Sequence, residues 1–137
     1  MKYYISCLTL VLTLMSNTAY SDVVVIGNRN ITSVSNDTIV RIYTGRVIEV
    51  DGVSITPVNL NPKNQTRNQF LDVFLNQDED KYSAYWTVRR FIGKGTPPIE
   101  LKTDKEVLEF VEKKAGAIGY VDDQNIEIPP TVNILSK

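Results

Sequence analysis

A strand, a polar loop and a helix follow one another within residues 54–70, and this stretch constrains the fold more than any other. Ile55, Val58 and Leu60 are strand-like apolar residues, and the run ends at residues 61–62 because proline lacks an N–H and fixes φ. Apolar residues then recur at helical spacing at Phe70, Leu71, Phe74 and Leu75. The pattern therefore predicts a helix that starts directly after a strand.

The loop before this helix has the chemistry of an anion site. A helix start directs unpaired N–H groups and a partial positive charge at whatever lies in front of it. We therefore predict that Thr66 and the N–H groups around Asn64 and Gln65 hold a small anion. Lys63 and Arg67 would supply the counter-charge. From the spacing alone, an ordinary capped helix at the surface is the simpler interpretation.

The N-terminus has the features of an export signal. Lys2 is followed by an apolar run over residues 5–15, and residues 19–21 include the small residues that a signal peptidase requires. We predict a cleaved signal peptide over residues 1–21 and one mature domain over residues 22–137, located in a bacterial periplasm. The apolar run is too short to span a membrane, so no membrane insertion of the mature chain is expected.

Composition excludes several classes of function. The chain has no histidine, and its one cysteine, Cys7, lies in the predicted signal. The mature domain therefore lacks disulfides, the usual soft metal ligands and the groups of Cys–His or Ser–His–Asp catalysis. We expect no cofactor, no metal and no enzymatic activity. The formal net charge of −1 gives no reason to expect a nucleic acid partner.

The first mature segment is a second place to look for ligand contacts. Residues 23–26 form a continuous apolar run, which is typical of a strand covered on both faces, as in a parallel sheet. Open α/β sheets bind ligands at the carboxyl ends of such strands. Asn28 and Arg29 follow this strand and are therefore additional candidates, although an ordinary connection explains them as well.

Local signals predict the remaining elements. A helix begins at Ser35 and ends at Gly45, and Asp51–Gly52 marks a hairpin between two strand-like runs. Further predicted elements are a helix over residues 80–92 with Tyr82, Tyr85, Trp86 and Val88 inward, a helix opened by the Thr103–Glu106 capping box, a strand over residues 117–121 and an edge strand around Pro129–Pro130.

The loop over residues 91–98 is a further candidate for oxyanion binding. Gly93 and Gly95 permit unusual backbone angles, and Lys94 offers an ammonium group between them. The spacing is not that of a P-loop. A helix cap followed by a turn is an equally good interpretation.

Taken together, these motifs resemble the phosphate ABC transporter substrate-binding protein family, in particular its short single-lobe members. The resemblance runs from about residue 23 to residue 121. It is carried by residues 42–45, 51–52, 56–60, 67 with 70, 85–86, 93–98 and 116–121. It implies an α/β fold, a single lobe like those of type 2 periplasmic binding proteins, with a mixed sheet and helices on both faces.

The resemblance also implies a ligand site at the start of the central helix. Family members carry Gly-Ser-Gly-Thr there, whereas residues 63–66 of this chain read Lys-Asn-Gln-Thr, so that Thr66 and Phe70 remain from the motif. Full-length members have two lobes that close over phosphate, and this chain is roughly half of that size.

Two functions are therefore expected from the sequence. The first is a periplasmic transport-type binding module whose single lobe has weak affinity for phosphate or a similar small oxyanion. Tight binding would need a homodimer or a partner protein to supply the missing lobe. The alternative is a ligand-free interaction module that docks onto an envelope protein such as a sensor or transporter.

Overall fold

The computed structural model describes residues 22–137, and the predicted signal peptide over residues 1–21 lies outside them. This described part of the chain contains four α-helices and seven strands. The strands are β1 (Val23–Asn28), β2 (Glu49–Val50), β3 (Val53–Ser54), β4 (Thr56–Leu60), β5 (Ile99–Leu101), β6 (Ala117–Asp122) and β7 (Val132–Ser136). The helices are α1 (Asn36–Tyr43), α2 (Gln65–Phe70), which continues as a π-helical turn (Leu71–Leu75), α3 (Glu79–Phe91) and α4 (Asp104–Lys113).

Five strands form one mixed sheet in the order β5-β4-β6-β1-β7. Strand β4 runs parallel to both β5 and β6, whereas β1 runs antiparallel to β6 and β7. The carboxyl ends of β4, β5 and β6 therefore lie at one edge of the sheet, which we call the carboxyl edge. The amino ends of these three strands and the carboxyl end of β1 lie at the opposite edge, the amino edge.

Helices cover both faces of the sheet, as the resemblance implies. Successive residues of a strand point to opposite faces. A Cβ on Gly119 would lie 2.5 Å from Val107 of α4, whereas the ring of the next residue, Tyr120, stacks on Phe70 of α2 with centroids 4.0 Å apart. Helices α4 and α2 therefore pack on opposite faces of β6.

Buried tyrosines fasten the strands to the helices. The hydroxyl of Tyr120 donates to Asn59 Oδ1 at 2.9 Å and accepts the Leu60 amide, and Asn59 Nδ2 donates to the hydroxyl of Tyr82. Tyr82 in turn donates to the carbonyl oxygen of Tyr43. Burial raises the pKa of the Tyr120 hydroxyl, which keeps it protonated and able to donate. The network provides hydrogen-bond partners for both side-chain polar atoms of the buried Asn59.

Several local predictions are confirmed. The Ser35 hydroxyl accepts the Thr38 amide at the start of α1, and Asp51 and Gly52 both adopt positive φ in the β2–β3 hairpin turn. The cap predicted at Thr103 also forms, because Thr103 Oγ1 accepts the Glu106 amide, while the Glu106 carboxylate accepts the amide of Lys102, one residue before the N-cap. Strand β7 lies at an edge of the sheet, as the proline pair predicts.

Two predictions are wrong in ways that matter for the site. Strand β1 is buried along its whole length, but both of its neighbours are antiparallel, so burial on both faces did not imply a parallel sheet. Val88 points outward and is 59% exposed, since Tyr82 and Trp86 supply the buried side of α3. Strand β5 and the π-helical turn were not among the elements predicted from the sequence.

Within residues 22–137, none of the helices combines the length and the apolar character needed to cross a bilayer.

Gly116 provides a test of the packing between β6 and the hairpin. Its φ is +78°, and a Cβ there would overlap the carbonyl oxygen of Ser54. Gly116→Ala should therefore lower the free energy of unfolding by at least about 3 kcal/mol, from backbone strain and overpacking together. Gly93→Ala is the matched control, because Gly93 has a φ of +72° with nothing within 4 Å of its Cβ position. The control should lose about 1–2 kcal/mol in urea denaturation; equal losses would contradict the steric argument.

Candidate functional site

A cleft of about 540 Å³ opens at the carboxyl edge. It lies between the start of α2, which follows β4, and the start of α4, which follows β5, and the end of β6 closes it. We call it the carboxyl-edge cleft. It is lined by Asn64, Gln65, Thr66, Gln69, Lys102, Thr103, Asp104, Lys105, Asp122, Asn125 and Ile126.

Asn64 caps helix α2, and its side chain occupies part of the predicted anion site. Its side-chain oxygen accepts the amide of Thr66 at 2.8 Å and the amide of Arg67 at 3.4 Å. These are two of the N–H groups that a helix start leaves unpaired. A ligand in the cleft would therefore meet the Thr66 hydroxyl and the side chains of Gln65 and Asn64 before it met these amides.

Arg67 is buried and paired within the protein, with its side chain 3% exposed. Its Nε and Nη2 donate to the two carboxylate oxygens of Glu79, both at 2.8 Å, and Nη1 donates to the Leu60 carbonyl at 2.9 Å and to Glu100 at 3.2 Å. Burial lowers the pKa of the guanidinium, but the hydrogen bond and charge of Glu79 outweigh this and raise it above its ordinary value. Arg67 joins α2 to β4, α3 and β5, and its charge is already compensated.

The remaining charges of the cleft nearly balance. Its lining includes two lysines, Lys102 and Lys105, and two aspartates, Asp104 and Asp122. The Asp104 carboxylate accepts the amide of Asp122 at 3.4 Å and the side-chain amide of Asn125 at 3.3 Å. Desolvation nevertheless raises the pKa of Asp104 above its ordinary value. The cleft is therefore polar, and its lining carries no excess of positive charge.

Asn28 and Arg29 do not lie in this cleft, which corrects the expectation that they share its edge. Because β1 is antiparallel, its carboxyl end is at the amino edge, where both residues line a separate depression beside Lys113. Asn28 Nδ2 donates to the carbonyl oxygens of Val111 at 2.8 Å and Glu112 at 3.2 Å. Asn28 thus caps the carboxyl end of α4.

The predicted site residues are therefore divided between two edges. Asn64, Gln65 and Thr66 line the carboxyl-edge cleft, Lys63 is exposed in the adjoining loop, and Arg67 lies beneath it. The glycine-rich loop over residues 93–98 lines a different groove at the amino edge.

The sequence reading missed the contribution of α4. Lys102, Lys105 and Asp104 enter the cleft because β5 is parallel to β4, which brings the start of α4 beside the start of α2. The capping box at Thr103 was a usable signal, since it marked a second helix start. Strand β5 is only three residues long, which left the pairing without a signal.

Three solved structures share this fold. An ABC-type phosphate transport receptor from Vibrio cholerae is 12% identical over 84% of this chain and 45% of its own, with a TM-score of 0.63. PstS from Borrelia burgdorferi is 18% identical over 85% of this chain and 47% of its own, with a TM-score of 0.62. A Clostridium perfringens protein assigned as a phosphate ABC transporter substrate-binding protein, with bound phosphate, is 16% identical over 84% of this chain and 44% of its own, with a TM-score of 0.64.

This chain has the fold of phosphate-transport binding proteins. The resemblance in the sequence is confirmed at that level, and the chain spans a little less than half of the length of the solved structures that it matches. The sequence matches no family model and no curated protein at a significant level.

Arg67 is predicted to be a structural residue. Arg67→Met should lower the free energy of unfolding by about 3 kcal/mol, because it leaves the Leu60 carbonyl and two carboxylates without their partner. Lys63→Met removes an exposed cation from the same loop and should change stability by less than about 0.5 kcal/mol. Urea denaturation of both variants decides the matter, and a similar small effect for Arg67→Met would contradict the structural assignment.

Asp104 should make stability depend on pH. Its raised pKa means that the folded protein binds a proton more readily than the unfolded chain does. The resulting stabilisation is fully present below the pKa of free aspartate, about 3.9, and is lost as pH rises through the folded pKa. Asp104→Asn should therefore be more stable than the parent protein at neutral pH, with the difference disappearing towards pH 3. An advantage that grew on acidification would contradict this assignment.

Proposed function

We propose that this chain is a solute-binding module of a transport system that takes phosphate or a similar small oxyanion in the carboxyl-edge cleft. The observation that carries the proposal is the meeting of two helix starts, a threonine hydroxyl and two lysines at the carboxyl ends of parallel strands. Ligands of open α/β sheets bind at this position. The shared fold supports the proposal, because one of the solved structures with this fold has bound phosphate.

The proposal gives each residue a role. The Thr66 hydroxyl and the Gln65 side chain contact the anion, and Lys63, Lys102 and Lys105 supply positive charge around it. Asn64 and Arg67 are positioning residues, since the first holds the turn and the second holds the helix. Asn28 and Arg29 take no part in this site.

The expected affinity is low. About three charge-assisted hydrogen bonds contribute on the order of 5–9 kcal/mol. Association removes at least about 4 kcal/mol of this. The remainder corresponds to dissociation constants on the order of millimolar or weaker. Asn64 reduces the affinity further, because its side chain already accepts two of the helix-start amides. The two aspartates of the cleft also reduce the affinity, because they repel a fully ionised anion.

A second copy or another envelope protein would complete the cleft and raise the affinity. The solved neighbours are about twice as long as the part that this chain covers. The proposal places the module in the periplasm after removal of residues 1–21. Sedimentation with and without phosphate shows whether a second copy joins when the ligand is present.

The test is an NMR titration of the protein over residues 22–137 with phosphate, sulfate and acetate. Saturable amide shifts should centre on Asn64–Arg67 and Lys102–Lys105. Thr66→Val should weaken the response to phosphate about tenfold, because it removes one hydrogen bond to a charged group. Thr96→Val, at the amino edge, is the matched control and should not change it. The absence of any saturable shift at these residues up to about 50 mM phosphate would refute the proposal.

A further inference from the structure

We propose that a groove at the amino edge is a docking site for an acidic, extended segment of a partner protein, anchored by apolar side chains. The groove has a volume of about 390 Å³ and lies beside the amino ends of β4 and β5. This inference is independent of the oxyanion site, which lies at the opposite ends of the same strands. Six of its lining residues carry the argument, namely Ile48, Ile55, Trp86, Lys94, Pro97 and Ile99.

The groove presents apolar surface to solvent. Ile55 and Trp86 are buried along its floor, whereas Ile48 and Ile99 on its rim are 73% and 51% exposed. The last turn of α3, which leads into the loop of this groove, exposes Phe91 at 91%. Several exposed apolar side chains in and near one groove are typical of interaction sites. A partner that covers it would gain from removing these side chains from water.

The charged groups that contact the groove residues directly are two cations, Lys94 and Arg89. Lys94 lines the groove. The Arg89 guanidinium lies over the rings of Tyr85 and Trp86, with its Cζ 5.6 and 5.7 Å from the two ring centroids. Its Nη2 donates to the carbonyl oxygen of Gly45. The Nε of Arg89 is buried without a hydrogen-bond partner in the structure. The lining residues include no carboxylate. The electrostatic complement of this groove is therefore an acidic segment, although the whole chain carries a net negative charge.

The open edge of strand β5 beside the groove favours an extended segment. Strand β5 forms one edge of the main sheet and pairs only with β4, so its outer side is open to another strand. Ile99 is both the first residue of β5 and part of the groove wall. A segment that lies along β5 can form main-chain hydrogen bonds while it places apolar side chains in the groove. Pro97 and Pro98 stiffen the wall and reduce the entropy lost on binding.

Trp86 provides a direct readout, because it is the only tryptophan of the chain and lines the groove. Two synthetic peptides of equal length serve as probes: one alternates Asp and Glu with Leu and Phe, and the other has Lys in place of every acidic residue. The acidic peptide should change Trp86 fluorescence saturably, and added salt should weaken this response. The basic peptide should not, although long-range attraction to the negatively charged protein would favour it. A preference for the basic peptide, or no response to either one, would overturn the proposal.

Matched variants locate the binding surface. Ile48→Asp should weaken binding of the acidic peptide at least about tenfold. Val73→Asp alters a side chain of similar exposure, 69%, on the π-helical turn and should have no effect. Lys94→Glu should also weaken binding, whereas Lys114→Glu, near the end of α4, should not. Equal effects within either pair would overturn the assignment.

Two other occupants are distinguished by the same variants. Concentration-dependent dimerisation that Ile48→Asp abolishes, without binding of the acidic peptide, would assign the groove to a second copy of this chain. Binding to phosphatidylglycerol vesicles that depends on Phe91 and Lys94, again without peptide binding, would assign it to an anionic membrane. Either result would replace the proposal of an acidic partner segment.

Discussion

The buried pairing of Arg67 with Glu79 holds the elements of the carboxyl edge together. One guanidinium contacts a carboxylate on α3, a carboxylate on β5 and the last carbonyl of β4, while its own backbone belongs to α2. A buried charge is tolerated only when its partners compensate it, so α2, α3, β4 and β5 have to pack together around the guanidinium. The start of α2 is consequently placed with little freedom at the carboxyl edge. The same pairing removes Arg67 from any role as a free counter-charge.

The direction of β1 places Asn28 and Arg29 away from the carboxyl-edge cleft. A parallel β1 would have brought Asn28 and Arg29 to the carboxyl edge, with β6 between them and the strand that leads to Asn64. Because β1 is antiparallel, Asn28 instead caps α4 at the other edge. The carboxyl edge is left with a polar cleft of balanced charge, and the amino edge with an apolar groove beside cations. One sheet thus carries two surfaces of different chemistry at its opposite edges.

Much of the local structure was predictable because its causes lie within a few residues. The Ser35 and Thr103 caps, the Asp51–Gly52 turn and the strand before Asn61 all follow from short-range sterics and hydrogen bonding. The strand-loop-helix pattern also placed Asn64, Gln65 and Thr66 together at the start of α2, where they line one cleft, and their role in binding stays a prediction. The prediction that Val88 points inward was wrong, because helical spacing does not determine which of several apolar residues packs against the rest of the protein.

The sequence by itself determined most of the elements, their caps and the resemblance to a binding-protein fold, because these depend on neighbouring residues and on motif order. Only the tertiary structure decided the direction of β1, the pairing of β5 with β4 and the burial of Arg67 against Glu79. Each of these joins residues far apart in the chain, and no local pattern encodes them. They nevertheless decide which polar groups face solvent together, because hydrogen bonds and ion pairs act over a few ångströms of space rather than along the chain.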